Sequence, residues 1–248
     1  MKVNTQMGVV TASIERTENV ASRSWGAKVA PVGVVAAIAL LGLGLRLYRL
    51  EDQSLWLDEY PALRILDAED LWTSLWYLSI PSPEQAAAGL HYVLQFFWAK
   101  LFGTDLVVVR LFAVLLGVLT IPVVFLLGRD LGGRRAGYIA ALCVALSPQH
   151  IWYDQEPRSY ALVTLLAAAS LLTFTRATRH GGKWWLLNVL INGALILSHC
   201  FAVFLPMAEG ICFLLHYARG RWKTVVAWTG VHAVPCLILA VRLLNRPT

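Results

Sequence analysis

The feature that most constrains the fold of this chain is a series of long apolar runs separated by short basic clusters. The runs cover residues 29–45, 106–128, 136–150, 159–175, 184–218 and 224–244. Only 15% of the 248 residues are charged, against about 25% in a soluble domain, so the composition excludes an ordinary cytosolic enzyme. At about 20 apolar residues per crossing, we predict an all-α, polytopic membrane protein with about seven transmembrane helices. The run 184–218 is then a tight helical pair.

The Lys and Arg residues predict which side of the membrane each loop faces. They cluster between apolar runs, as they do in the cytoplasmic loops of membrane proteins. The clusters are Arg129, Arg134 and Arg135; Arg176, Arg179 and Lys183; and Arg219, Arg221 and Lys223. They form no contiguous basic face, so the net charge of +6 does not indicate a nucleic-acid partner. We predict a cytoplasmic amino-terminal tail over residues 1–28 and one membrane domain over residues 29–248.

One long polar loop, residues 46–88, separates the first apolar run from the rest. It carries eight acids and three bases, and an acidic loop opposite the basic ones belongs on the outer side. Leucines and aromatic residues recur in it at helical spacing, which predicts short interfacial helices lying on the membrane surface. Residues 89–103 are apolar but too short to span a bilayer, so we predict another interfacial helix there.

Six polar residues on the predicted outer side are candidates for chemistry. They are Asp58, Glu59, Asp154, Glu156, Arg158 and His199. A carboxylate near apolar walls can act as a general base, and an arginine can hold a phosphate by two parallel hydrogen bonds. The same residues are also typical of solvated acids, a snorkelling arginine and a packed histidine. The pattern by itself leaves both interpretations open.

Two further acidic features allow more than one interpretation. The pair Asp154 and Glu156 is suited to a divalent cation, because such ions prefer carboxylate oxygens, but the sequence offers no clear third ligand. Glu209 lies within the sixth predicted crossing, where a carboxylate is costly and by default functional. Alternatively, a kink at Pro206 lets Glu209 form hydrogen bonds locally.

Two acidic motifs resemble those of a family of membrane enzymes. Residues 55–59, LWLDE, are similar to the Asp-Glu motif of the GT-C superfamily, in particular of the protein O-mannosyltransferase and aminoarabinose transferase type. Residues 147–160, SPQHIWYDQEPRSY, are similar to the signature Ser-Pro…Tyr-x-Gln-Glu-x-Arg-x-Tyr of that family. Residues 101–103, 110–111, 128–135 and 198–199 also match in the expected order. The resemblance covers residues 30–245.

The resemblance implies an activity and a role for each candidate residue. Such enzymes transfer a sugar from a polyprenyl phosphate to a hydroxyl of a lipid, glycan or protein acceptor, with inversion, at the outer face of the membrane. Asp58 matches the catalytic base that deprotonates the acceptor. The substrate-binding residues are then Glu59, Asp154, Glu156, Arg158 and His199, with Arg158 the better candidate for the phosphate. The resemblance also implies the plasma membrane of a bacterium, with membrane lipids around the helices.

Two departures from the family qualify these expectations. Residues 87–89 hold Ala-Ala-Gly where family members often carry His-Pro-Pro, so no role is carried over to that segment. Family members are also longer, so we expect this chain to be the amino-terminal part of an enzyme or one of two chains that complete it. The alternative function is a non-catalytic protein that binds lipid-linked sugars. A transporter is disfavoured because the chain shows no matched pair of broken helices.

Overall fold

The computed structural model describes residues 32–52, 59, 73, 89–217, 226, 228–233, 237, 240 and 241. These residues are helical or lie in turns, with no strand among them, which confirms the all-α prediction. The helices are α1 (Val32–Leu47), α2 (Gly89–Phe102), α3 (Leu106–Leu146), α4 (Pro148–Asp154), α5 (Tyr160–His180), α6 (Lys183–Ser198) and α7 (Phe204–Tyr217), with a 3-10 helix over Cys200–Val203. Residues 228–233 are also helical. The tail 1–28 and the predicted surface helices of residues 55–77 lie outside the described residues, Glu59 and Thr73 apart.

Helices α3 and α5 are long and apolar enough to cross a membrane by length and composition. Three shorter apolar helices, over Val32–Leu47, Lys183–Ser198 and Cys200–Leu215, accompany them. The count of seven crossings stays a prediction. The predicted tight pair over residues 184–218 is observed as α6 and α7, with the 3-10 helix between them.

Helix α3 consists of two antiparallel arms rather than one continuous rod. Gly133 interrupts its helical geometry with φ 83° and ψ 178°, a left-handed φ that favours glycine. The arms then pack closely, since a Cβ on Gly137 would lie 2.6 Å from the carbonyl oxygen of Phe125. The turn coincides with the basic cluster around Arg134, as the predicted crossings 106–128 and 136–150 require.

The two arms of α3 and the first helix share an apolar core. Ile38 of α1 is buried against Ile121 and Phe125 of the first arm and Ala141 and Ala145 of the second. The small alanines allow the helices to approach each other closely, which favours van der Waals packing between transmembrane helices. This core places the end of α1 beside the end of α3, where the polar residues of the site begin.

An ionic contact joins the turn of α3 to the end of α5. Asp130, between the two arms, accepts a hydrogen bond from Arg176 Nε at 2.6 Å, and its carbonyl oxygen accepts one from Arg179 Nη1 at 2.6 Å. Although partial burial acts to raise it, hydrogen bonds from Arg176 and Arg129 lower the pKa of the Asp130 carboxyl below its usual value. Two of the predicted basic loops therefore meet at one end of the helices.

Helix α2 is the predicted helix over residues 89–103, and it packs on α3 and α6. Trp98 Nε1 donates to the carbonyl oxygen of Val108 at 2.8 Å, which fixes α2 at the start of α3. Gly103 ends the helix with φ 110°. The helical prediction is confirmed, while the interfacial position of α2 stays a prediction.

Candidate functional site

A buried ion pair joins the end of α1 to the end of α4. Arg46 Nε donates to Asp154 Oδ2 at 2.7 Å, and the two side chains are 0% and 1% exposed. The guanidinium also donates to the carbonyl oxygens of Gly42 at 3.0 Å and Ala145 at 3.3 Å. Asp154 Oδ2 lies 2.6 Å from His150 Nδ1 as well. Asp154 is therefore held by a cation and an imidazole of the protein itself.

Close packing against α3 also fixes the position of Asp154. A Cβ on Gly117 would overlap the Asp154 carboxylate, so only glycine leaves room for it there. The acid thus occupies a notch in the first arm of α3.

Glu59 of the first acidic motif forms a second buried contact. Its Oε2 lies 3.6 Å from Arg110 Nη2, and the two side chains are 2% and 1% exposed. Arg110 Nη1 donates to the carbonyl oxygen of Leu50 at 2.8 Å. Arg110 therefore joins Glu59 and the chain after α1 to the start of α3. Asp58, the predicted base, lies outside the described residues.

The second acidic motif is hydrogen-bonded to the main chain just after α1, close to the Leu50 carbonyl that Arg110 contacts. Gln155 Nε2 donates to the carbonyl oxygen of Arg46 at 2.8 Å and to that of Tyr48 at 3.0 Å. Its neighbour Glu156 is 8% exposed, and its Oε1 accepts a hydrogen bond from Trp152 Nε1 at 2.8 Å. Residues 46–50 therefore accept hydrogen bonds from both sides of the site, from Arg110 and from Gln155.

Tyr160 is close to both of the predicted residues Arg158 and His199. The guanidinium carbon of Arg158 lies 4.6 Å from the centre of the Tyr160 ring, and the ring centres of Tyr160 and His199 are 6.2 Å apart. His199 Nδ1 accepts a hydrogen bond from the N–H of Phe201 at 3.3 Å, which caps the 3-10 helix. The cation and the imidazole are therefore both close to one aromatic ring.

A cavity of about 390 Å³ opens beside α4 and the start of α5. Small-molecule sites usually occupy about 300–1,000 Å³, so its size suits a small polar ligand. It is lined by Ser147, Gln149, His150, Tyr153, Asp154, Tyr160, Val163 and Thr164. Two tyrosines and one edge of the Asp154–His150 pair thus face a common space.

Helix α2 also borders the second acidic motif, since His91 interacts with the Pro157 backbone and Tyr92 with the Arg158 charge. His91 and Gln95, one helical turn apart, are fully buried, and His91 packs on Phe112 with ring centres 5.8 Å apart. Burial lowers the pKa of His91 to about 4, although the Pro157 backbone and Gln95 act to raise it. Burial likewise raises the pKa of Tyr92 to about 12, against the effect of the nearby Arg158 charge. Both side chains are therefore neutral at physiological pH.

A metal ion is the least supported of the predicted ligands. In the part of the chain that the structure describes, no group of three or more His, Cys, Asp or Glu residues is placed to hold one. Asp154 accepts from Arg46 and Glu156 accepts from Trp152 instead. A divalent cation at Asp154 and Glu156 stays an untested prediction.

Sequence reasoning missed several residues that shape the site. They are Arg46, Arg110, His91, His150 and Gln155. For Arg110 a signal exists, because an arginine inside an apolar run is costly unless it is paired. His150 and Gln155 lie inside the matched segment 147–160, but the match gave them no role of their own. Arg46 carries no local signal, since its partner Asp154 lies 108 residues away along the chain.

Comparison with known proteins points to one family. Residues 87–244, which include α2 to α7 and the second acidic motif, match the family model of dolichyl-phosphate-mannose-protein mannosyltransferases. No curated protein matches the chain. The matched segment is well over half of the sequence.

Proposed function

The chain belongs to the dolichyl-phosphate-mannose-protein mannosyltransferase family of GT-C membrane glycosyltransferases, and we propose that it transfers a sugar from a polyprenyl phosphate to an acceptor hydroxyl. The observation that supports this is the shared anchoring of both acidic motifs on residues 46–50. Arg110, which pairs with Glu59, donates to Leu50, and Gln155, next to Glu156, donates to Tyr48. Two motifs nearly 100 residues apart are thus held at one place.

In the proposed reaction, Asp58 acts as the base. The acceptor hydroxyl gives its proton to the Asp58 carboxylate while its oxygen attacks the anomeric carbon of the sugar. The bond between that carbon and the phosphate oxygen breaks, and the polyprenyl phosphate leaves with the electron pair. Attack from the face opposite the phosphate inverts the anomeric configuration. The reaction then needs a cation near the leaving phosphate and a fixed acceptor.

Arg158 is the residue we assign to the phosphate. Its guanidinium is half-buried over Tyr160, and stacking on the ring orients the planar group. The ring also attracts the cation electrostatically. Tyr160, which contacts this guanidinium, also lines the cavity together with Tyr153, and we assign that cavity to the sugar or the acceptor. We assign His199, whose ring centre lies 6.2 Å from that of Tyr160, to the same ligand.

We place this site on the outer face of a bacterial plasma membrane. The basic residues Arg129, Arg176 and Arg179 gather where α3 turns and α5 ends, and positive charge marks the cytoplasmic side. Arg158 and His199 lie at the opposite ends of α5 and α6. A donor whose isoprenoid tail stays in the lipid would present its phosphate at this depth.

The test uses membranes that contain the full chain and a polyprenyl-phosphate mannose carrying a radiolabel in the sugar. We expect the label to move to a lipid, glycan or protein fraction, and Asp58→Asn to abolish this transfer without loss of folded protein. The matched control is Asp52→Asn, which changes an acid of the same loop that is 55% exposed. Full transfer by Asp58→Asn contradicts the assigned base. Donor binding without any transfer by the wild type contradicts the enzyme and favours a binding protein.

A further inference from the structure

A cluster of buried polar side chains lies inside the bundle, away from the site just described. Its members come from α5, α6, α7 and the helical residues 228–233, and each is less than 9% exposed: Ser170, Asn188, Asn192, Glu209, Trp228 and His232. Ser170 lies ten residues from either end of α5, or about 15 Å at the helical rise per residue. The cluster is therefore near the middle of a predicted crossing.

Glu209 is at the centre of the cluster. Its Oε2 accepts hydrogen bonds from Asn192 Nδ2 at 2.8 Å and from Asn188 Nδ2 at 3.1 Å. Its Oε1 lies 2.6 Å from Ser170 Oγ. The expectation that Pro206 lets Glu209 bond locally is wrong, because these partners belong to two other helices.

The orientation of Asn192 follows from its neighbours. His232 Nδ1 lies 2.7 Å from the carbonyl oxygen of Trp228, so Nδ1 carries the proton and Nε2 is an acceptor. Asn192 Nδ2 lies between that Nε2, at 3.1 Å, and the Oε2 atom of Glu209. A nitrogen with two protons satisfies both acceptors, so the other end of the amide, Oδ1, must face Ser170.

The single hydroxyl proton of Ser170 then determines whether Glu209 is protonated. Ser170 Oγ lies 2.5 Å from Asn192 Oδ1 and 2.6 Å from Glu209 Oε1. A hydroxyl has one proton to donate, so it cannot serve both oxygens. Asn192 Oδ1 has no proton of its own and must accept the one from Ser170. The short contact with Glu209 is a hydrogen bond only if Glu209 Oε1 carries a proton and donates it to Ser170.

The residues around Glu209 also favour its protonated form. The described members of the cluster include no lysine or arginine that would compensate a carboxylate. An ionised carboxyl moved into a low-dielectric interior costs several kcal/mol when no cation accompanies it. We propose that Glu209 is a proton-binding site in the interior of the membrane domain, where the neutral acid donates from Oε1 to Ser170 and accepts at Oε2 from Asn188 and Asn192.

The protonated site also has a mechanical role. The neutral carboxyl of Glu209 contacts α5 and α6 directly. It is connected to the helix of residues 228–233 through Asn192 and Asn188. The Oδ1 atom of Asn188 accepts a hydrogen bond from Trp228 Nε1 at 3.1 Å. Trp228 packs so closely on α7 that a Cβ on Gly210 would lie 2.8 Å from its ring. The bound proton thus allows four helical segments to be joined without a buried charge.

The first test compares Glu209→Gln with Glu209→Ala in the purified full chain. Glutamine matches the neutral acid, since its Nε2 can donate to Ser170 while its Oε1 accepts from both asparagines. We expect thermal unfolding of Glu209→Gln to follow the wild type and that of Glu209→Ala to shift to lower temperature. If Glu209 were ionised, its Oε1 would accept the hydroxyl proton of Ser170. The Nε2 group of glutamine at that position would then place a second donor opposite the Ser170 hydroxyl. A loss of stability in Glu209→Gln as large as that in Glu209→Ala overturns the proposal.

The second test does not depend on the folding of any Glu209 variant. Infrared spectroscopy of the wild-type chain at neutral pH should show the carbonyl stretch of a protonated carboxyl. In Ser170→Ala, which removes the acceptor of that proton, the band should shift to higher frequency. Absence of a protonated-carboxyl band from the wild type, or a band that Ser170→Ala leaves unmoved, contradicts a proton on Glu209.

Discussion

Arg46 and Asp154, 108 residues apart in the sequence, form an ion pair of 2.7 Å in which neither side chain is more than 1% exposed. The pair joins α1 to α4, and the remaining donors of the guanidinium are directed at main-chain carbonyls of α1 and α3. Stability should therefore depend on both partners together. Either residue left alone becomes a buried charge without compensation.

Asp154→Ala is expected to destabilise the protein by about 3–5 kcal/mol, the usual cost of removing one partner of a buried pair. The matched control is Asp52→Ala, because Asp52 pairs with Arg49 at 2.6 Å while both side chains are more than half exposed. An exposed pair contributes about 0–1 kcal/mol. Thermal unfolding of both variants measures the difference, and equal shifts would contradict the role of burial.

Gly117→Ala is expected to prevent correct packing of α4 on α3, since the added Cβ overlaps the Asp154 carboxylate. Gly44→Ala in α1 serves as the control, because a Cβ there meets nothing within 4 Å and alanine favours a helix by about 1 kcal/mol over glycine. Folded yield after size-exclusion chromatography should fall only for Gly117→Ala. A normal yield of that variant would mean that the Asp154 side chain can move aside.

Arg110→Lys is expected to lower kcat/KM for sugar transfer about ten- to a hundredfold, the equivalent of losing one hydrogen bond that involves a charged group. Lysine keeps the charge but cannot reach Leu50 and Glu59 with a planar pair of donors. Arg49→Lys, at an exposed position, should leave transfer unchanged. Wild-type kinetics in Arg110→Lys would show that charge alone holds Glu59.

The stability of the protein should fall as the pH decreases from about 6.5 to about 4 because of His91. Its pKa is lowered by burial to about 4, whereas an unfolded histidine titrates near 6.5. Between these values the unfolded chain binds more protons than the folded one, so acid favours unfolding. His91→Leu should remove this part of the pH dependence. The difference in melting temperature between variant and wild type, followed from pH 7 to pH 4, is the measurement.

The sequence predicted the parts of the fold that depend on local composition. The helix over residues 89–103, the break between the predicted crossings 106–128 and 136–150, and the pair over residues 184–218 all follow from apolar length and charge. The hydrogen-bonding partner of a polar side chain, in contrast, cannot be predicted from the neighbouring sequence. Periodicity can assign Asp154 to one face of a helix, but it cannot indicate that Arg46 lies opposite.

For the candidate site, too, the sequence indicates the type of residue but not its partner. Arg158 and His199 were selected by residue type, and the structure brings both of them close to Tyr160. Asp154 was selected as a substrate or metal ligand, which stays a prediction, and its carboxylate contacts Arg46 and His150. A charged residue that binds a ligand and one that pairs within the protein look alike in sequence, because both need the same chemistry.

The carbonyl groups that support both acidic motifs have a consequence for how sequences of this kind can diverge. Gln155 bonds to the main chain at Tyr48, whose own side chain is 70% exposed. Every amino acid supplies the same carbonyl, so residue 48 can be replaced over generations while the attachment persists. An alignment would then record this position as variable, although the geometry of the site depends on the path that the backbone takes through it.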